Sequence, residues 1–368
     1  MFHIIIALDY EISGDGTGDV YHHVLEPTWT LFDVCQQHEA KLTIMVEIGE
    51  VWAFEKTENC GFGEHLGYDP GVEIRRQLVE AVQRGHDVQL HLHPQWINAR
   101  WENRRWVLDY AHYHLTDFGH GEVVTLLRRA KEDLETSLRP HCPDYECIGF
   151  RAGQWNTEPS RPYLAALRAA GLKSDTSVFK WGYANNGAVT YDYRNAHSNV
   201  HAWYAHDDNI NQPSSGEGIL EVPIATELTR CLSMLTPRRL WLARQYLRED
   251  RNICAAVREA TRNQGEPQRS IHGFKRFFGW HAKKLDFCKL TVNQMLSMVG
   301  RLMKQCENQK KSLPVPLVMI GHSKWVGAEK ALGGFLGLVR KRFGDNVRFS
   351  TYRDFVQVYT AAARPEKN

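Results

Sequence analysis

Short apolar runs alternate with amphipathic stretches along most of this chain. Runs of strand length occur at FHIIIAL, KLTIMVE, HDVQLHL, CIGF, LKSD, GILEVPI and LPVPLVMIG. Between them the apolar residues recur with helical spacing, which predicts helices near Thr28–Gln37, Val72–Arg84, Glu122–Leu138, Pro159–Ala170 and Ala328–Phe343. A repeated strand, helix, strand order predicts a parallel sheet, open or closed into a barrel, because parallel neighbours need a long crossover between them. One stretch breaks the rhythm. Thr236–Ser312 shows no clear strand, is rich in Arg, Lys, Trp and Phe, and reads as several helices joined by a polar turn at NQGEPQRS. It is expected to be a helical insertion, residues 236–312, within a single catalytic domain spanning 1–368.

Composition narrows the classes. With 368 residues, 43% of them hydrophobic, the chain can bury a substantial core. A net charge of +2 gives no global reason to expect nucleic acid as a partner, and no apolar run reaches the roughly 18 residues that a membrane span needs. The opening MFHIIIALDYE carries neither a basic leader nor a small-residue cleavage site, so a cytoplasmic location is expected. Lys and Arg outnumber Asp and Glu within 236–312. That excess suits peripheral contact with an anionic membrane surface or a phosphate-bearing substrate, and a solvated helical face explains it equally well. The eight cysteines are scattered without a C-x-x-C pair, so reduced and mostly buried thiols are expected.

Parallel α/β proteins carry their chemistry at the carboxyl ends of strands. Here those ends hold Asp9 and Glu11, then His91 and His93, then Arg151 and Trp155, then Asp175, and finally His322 and Lys324. Each has an ordinary structural explanation alone, such as a capped turn or a surface ion pair. A core needs no run of carboxylates, imidazoles and guanidinium at successive strand ends, and that repetition points to a catalytic site. In DVQLHLHPQW, His91 and His93 project from one face of a strand while Leu90 and Leu92 point the other way.

The set suits metal-assisted hydrolysis. Two imidazoles and one carboxylate leave a coordination position open, a bound divalent ion such as zinc acidifies water, and a second carboxylate can take the proton. A histidine across the pocket can protonate a leaving amine, while Arg151 holds the basic carboxylate ionised. Two further motifs are weaker. SGDGTGD, Ser13–Asp19, lacks the G-K-[ST] of a phosphate loop and reads as a mobile rim. WENRRWVLDYAHYH, Trp101–His114, suits either a sugar-stacking surface or a packed loop.

With these residues assembled, the chain resembles the polysaccharide deacetylases of carbohydrate esterase family 4, the NodB-like superfamily. Five short segments carry the likeness, in order: Ile4–Asp9, Gly85–Trp96, Gly149–Trp155, Lys173–Val178 and Val318–Lys324. The resemblance implies an α/β fold, a deformed (β/α)7-type barrel. It also implies that Asp9 is the base, Arg151 its holder, Asp175 the tuner of a catalytic histidine, and His322 the general acid. Glu11 stands in for the family's metal-binding aspartate, with Asp15 as an alternative. The family spaces its ligand histidines four apart; His91 matches the first, Gln95 occupies the second, and His93 is the replacement. Trp96, Trp155 and Lys324 are expected to touch substrate. Gly321 is expected to leave room beside His322 at the barrel mouth.

The departures at Glu11 and Gln95 resemble divergent, biosynthetic branches of the superfamily. The expected activity is removal of an N-linked acetyl or other acyl group from a sugar of a surface-polysaccharide or glycolipid precursor. Two other readings fit the same residues: a metal-free carbohydrate-binding protein on this fold, and a C–N hydrolase of a small non-sugar amide.

Overall fold

The computed structural model describes residues 1–186, 188–261, 279–307, 313–325 and 327–363, without the side chains of Leu232, Ser233 and Tyr246. Seven parallel strands form its centre. They are β1 (Phe2–Tyr10), β2 (Leu42–Glu47), β3 (Asp87–Leu92), β4 (Gly149–Ala152), β5 (Ser174–Asp175), β6 (Leu220–Glu221) and, late in the chain, Val315–His322. The first six pair in sequence order, and Val315–His322 pairs with β1 on its other side. From the second residue of β1 on, every residue of β1, β2 and β3 is buried, including the polar ones that alternate with apolar residues in β3, so both faces of these strands are covered.

The ring closes through short pieces of extended chain. Just beyond β6, Ile224 bridges Val318, and farther on Asp286 bridges Ile320, both in parallel. Hydrogen bonds from Ala225 N to Val318 O (3.1 Å), Leu285 N to Ala225 O (2.8 Å) and Ile320 N to Leu285 O (2.8 Å) stitch the seam. The result is a deformed seven-stranded α/β barrel.

The expected helices form close to the predicted limits: α1 (Glu26–Gln37), α3 (Pro70–Gln83), α4 (His120–Leu138), α5 (Ser160–Ala169) and α8 (Ala328–Phe343). Asp69 caps α3 by accepting from Val72 N at 3.1 Å, with Pro70 at the first helical position. The apolar pattern did not single out α2 (Ile48–Glu55), which is buried along nearly its whole length, or the terminal α9, residues 352–363.

The stretch 236–312 departs from an all-helical reading. It contains the long α6 (Pro237–Thr261) and α7 (Val292–Glu307), but also a strand, β8 (Trp280–Lys284), paired antiparallel with β7 (Thr226–Arg230). With β8 numbered so, Val315–His322 is β9. Leu285–Phe287, directly after β8, belongs to the barrel seam, so this short piece of the stretch forms part of the barrel wall. The polar turn NQGEPQRS and residues 308–312 lie outside the described residues. Gly321 needs its missing side chain for packing. A Cβ there would lie 2.1 Å from the Phe287 ring, so the room expected beside His322 is filled by the seam.

Candidate active site

Strand register explains the site. Parallel pairing sets Asp9 beside His322 in one row, and Glu47 beside His91 and His91 beside Arg151 in a second row two residues farther along, both at the carboxyl ends of the strands. Asp9, His91 and His322 line a small cavity of about 70 Å³ together with Glu11, His93, Trp155 and Lys324.

Glu11 is its centre. Nε2 of His91 and Nε2 of His93 stand 3.2 and 3.1 Å from the same oxygen, Oε2 of Glu11, and their rings meet edge to face. Lys324 Nζ donates to the other oxygen at 3.0 Å and to Ile12 O at 3.2 Å. Burial alone would raise the Glu11 carboxyl, but Lys324 and His93 outweigh it and hold it well below the ordinary glutamate value. His91 Nδ1 donates to Arg151 O at 2.8 Å, which directs the lone pair of Nε2 towards Glu11, where a cation would be ligated.

This donor set fits a divalent cation. Ligand atoms around a tetrahedral ion with bonds of about 2.0–2.2 Å stand roughly 3.3–3.6 Å apart. The spacings from Glu11 to both histidines come close to that, and donors from Glu11, Glu47, His91 and His93 all lie within 4.8 Å of one another. Asp15 is not among them; its carboxylate turns to Thr17 and Asn252. Gln95 is no ligand either. Its Nε2 lies 3.4 Å from His93 Nδ1, and its Oε1 has no partner among the described residues. Turned end for end, that amide would accept from His93 Nδ1–H and orient the ring, as partners of ligand histidines commonly do.

Asp9 is buried beside Arg151, whose Nη1 donates to Asp9 Oδ1, while Arg151 Nε donates to Thr176 O at 3.1 Å. Burial would raise the Asp9 carboxyl; Arg151, His322 and His91 prevail and hold it below its usual range. His322 Nε2 lies 3.4 Å from Asp9 Oδ2, its ring stacked on Trp325.

Two expectations need correction. Asp175 does not reach His322. It accepts from Tyr163 Oη at 2.5 Å and from Ser177 N and Oγ at 3.0 Å each, so it ties β5 to α5 and to its own turn. Without that partner, burial pushes the His322 imidazole down to about 4 rather than up. Trp96 is also misplaced as a substrate contact. It is 1% exposed and packs against Phe54 and Trp106, because the turn after Pro94 directs it inward. Trp101 and Trp106 join the same cluster, so the aromatic stretch is mostly packing; Tyr113 reaches the cavity. Trp155 does line it, with its backbone and that of Gln154 at φ of 54° and 55°. Non-glycine residues held in that region are strained, and such strain concentrates at functional sites.

Other participants went unnamed in the sequence. Glu47 accepts from Gly49 N at 2.8 Å, capping α2, and from His93 N at 2.5 Å, which fixes the backbone of a candidate ligand. Glu50 accepts from Ile12 N at 3.0 Å. Burial, with Glu50 and Glu11 nearby, pushes Glu47 well up, and burial with Glu11 nearby does the same to Glu50; a dication beside them would oppose both shifts. The strand-end rule applied to β2 would have found them. Glu249, Asp250 and Ile253 of α6 also line the cavity, and Glu249 Oε1 accepts from Gly14 N at 2.7 Å; no local pattern marked them.

Glu47→Ala is expected to cost about 2–4 kcal/mol, combining a lost helix cap with a buried N–H left unpaired. Urea unfolding of the metal-free protein measures this. A loss under about 0.5 kcal/mol would mean that water replaces both bonds.

No protein-family model and no curated protein sequence matches the chain. Some solved structures are similar to the chain at a distance. A Mycobacterium smegmatis protein described as a polysaccharide deacetylase is 12% identical, with 99% of this chain and 94% of that one covered and a TM-score of 0.48. An allantoinase is 11% identical over 98% of this chain and 90% of its own, with a TM-score of 0.45. A 4-alpha-glucanotransferase from Thermococcus litoralis is 11% identical over 97% of this chain and 40% of its own, with a TM-score of 0.48. Likenesses this remote, to proteins of such different names, leave the functional argument to the site.

Proposed function

We propose that this protein is a divalent-metal-dependent hydrolase that removes an N-linked acyl group from a carbohydrate. The observation that carries the reading is the convergence of His91 and His93 on one oxygen of Glu11, with the Asp9–Arg151 pair and His322 around the same small cavity. A cation held by Glu11, His91 and His93 would polarise the scissile carbonyl and make water a better nucleophile near neutral pH. Zinc suits these nitrogen and oxygen donors.

Asp9 is the base. Its depressed pKa keeps it ionised, and Arg151 fixes the carboxylate through one oxygen, leaving Oδ2 on the His322 side to accept a proton. Neutral His322 is placed to carry that proton to the departing nitrogen. Lys324 positions Glu11 through Oε1 and so leaves Oε2 to the histidines. Trp155 offers an aromatic wall for a sugar ring at the cavity edge.

Acetate release from N-acetylated amino-sugar conjugates tests the reading. Chelation should abolish it and added zinc or another divalent ion restore it, with no recovery in Glu11→Gln. Hydrolysis indifferent to both chelator and Glu11→Gln would overturn the metal assignment. The cavity's 70 Å³ also favours a second reading, a C–N hydrolase of a small non-sugar amide, since sites that enclose whole drug-sized ligands measure about 300–1,000 Å³. Faster turnover of small amides than of sugar conjugates would select it.

A further inference from the structure

Of the twelve exposed large hydrophobic side chains among the described residues, six lie between positions 228 and 280: Leu228, Leu235, Leu240, Trp241, Leu247 and Trp280. They lie on β7, β8, the turn after β7, and the first half of α6. At 100° per residue, Leu240, Trp241 and Leu247 fall on the same side of α6 as Arg244, Arg248 and Arg251, and all six are exposed. The opposite side carries Leu242, Glu249 and Ile253, which face the core and the cavity. At the strand end nearest the start of α6, the Arg230 guanidinium sits over the Trp280 ring, 5.5 Å from its centroid.

We propose that this outer face of α6 docks on an anionic lipid surface. On a face that lies against a membrane, leucine and tryptophan side chains can enter the acyl boundary while the long arginines between them snorkel their guanidinium groups to the lipid phosphates. A symmetric contact with a second copy would set three arginines against three arginines. Nucleic acid would pair with the arginines but give the exposed leucines nothing to bury against. No helix among the described residues is long and apolar enough to cross a membrane, so the contact is peripheral. Because Glu249 and Ile253 line the cavity from the other side of the helix, docking would hold the site about one helix diameter, roughly 10 Å, from the surface.

Co-sedimentation of the full-length protein with phosphatidylcholine vesicles, with and without about 30% phosphatidylglycerol, tests this without reference to catalysis. Binding should be at least about tenfold stronger to the anionic vesicles and should weaken as salt is raised. Arg244→Gln/Arg248→Gln/Arg251→Gln and, separately, Leu240→Ser/Leu247→Ser should each lower it about tenfold; all five positions are exposed, and circular dichroism checks that the variants fold. Equal binding to both vesicle types, or unchanged binding by either variant, would overturn the proposal. So would a wild-type dimer in sedimentation velocity that the leucine variant dissociates, or capture of duplex DNA that the arginine variant loses while vesicles fail to bind.

Discussion

Arg151→Met is expected to destabilise the fold by about 3–5 kcal/mol at neutral pH, because it leaves the buried Asp9 carboxylate without its partner. Both groups are essentially inaccessible, and Arg151 also supports the β5 turn through Thr176 O. The penalty should depend on pH. The Asp9 pKa is depressed in the folded protein, so the pair stabilises fully above the unfolded aspartate's titration and loses that contribution as pH falls through the folded value. A protonated Asp9 tolerates burial alone, so wild type and variant should converge in stability towards low pH. Urea unfolding at pH 7 and at about pH 3.5, repeated with Asp9→Asn/Arg151→Met, measures this. The double variant should recover much of the loss at pH 7; a penalty that is the same at both pH values and in the double variant would mean that Arg151 acts through packing alone.

His322→Ala is expected to lower kcat by about 10²–10⁴ while metal content stays intact, the span usual for a lost proton-transfer group. The residue touches Asp9 at 3.4 Å and stands 3.9 Å from Glu11, too far for a hydrogen bond to the ligand carboxylate. Lys324 is a poor rival, since burial is outweighed by Glu11 and Glu249, which raise its pKa and make it hold its proton. Lys284 is the better control. Burial, with Lys289 nearby, pushes its ammonium well below the usual lysine value, and it lies over the Trp155 ring, 3.1 Å from the centroid. Near-normal turnover in His322→Ala with collapse in Lys284→Ala would move the proton to the lysine.

The residues that make the site were readable from the chain because strand-end chemistry is a local signal. Asp9, Glu11, His91, His93, Arg151 and His322 each follow an apolar run and interrupt it with charge, and a parallel barrel sends such positions to one rim. The main helices were readable for the same reason, since their apolar spacing is written within one element. What lay beyond the sequence was partnership. Asp175 ends a strand as the others do, yet Tyr163 and Ser177 take it, and no spacing along the chain reports which side chain will stand within 3 Å. The barrel seam rests on Ile224, Asp286 and the backbone bonds of Leu285 and Phe287, too few residues to leave a periodic pattern. Trp96 and Trp155 each follow a strand-end motif, but the turn after Pro94 buries one and left-handed backbone at Gln154 and Trp155 presents the other. Sequence set the chemistry available at each strand end because side-chain identity and strand period are local. Register, turn geometry and the placing of α6 decided which of those groups meet, because they depend on contacts between segments far apart in the chain.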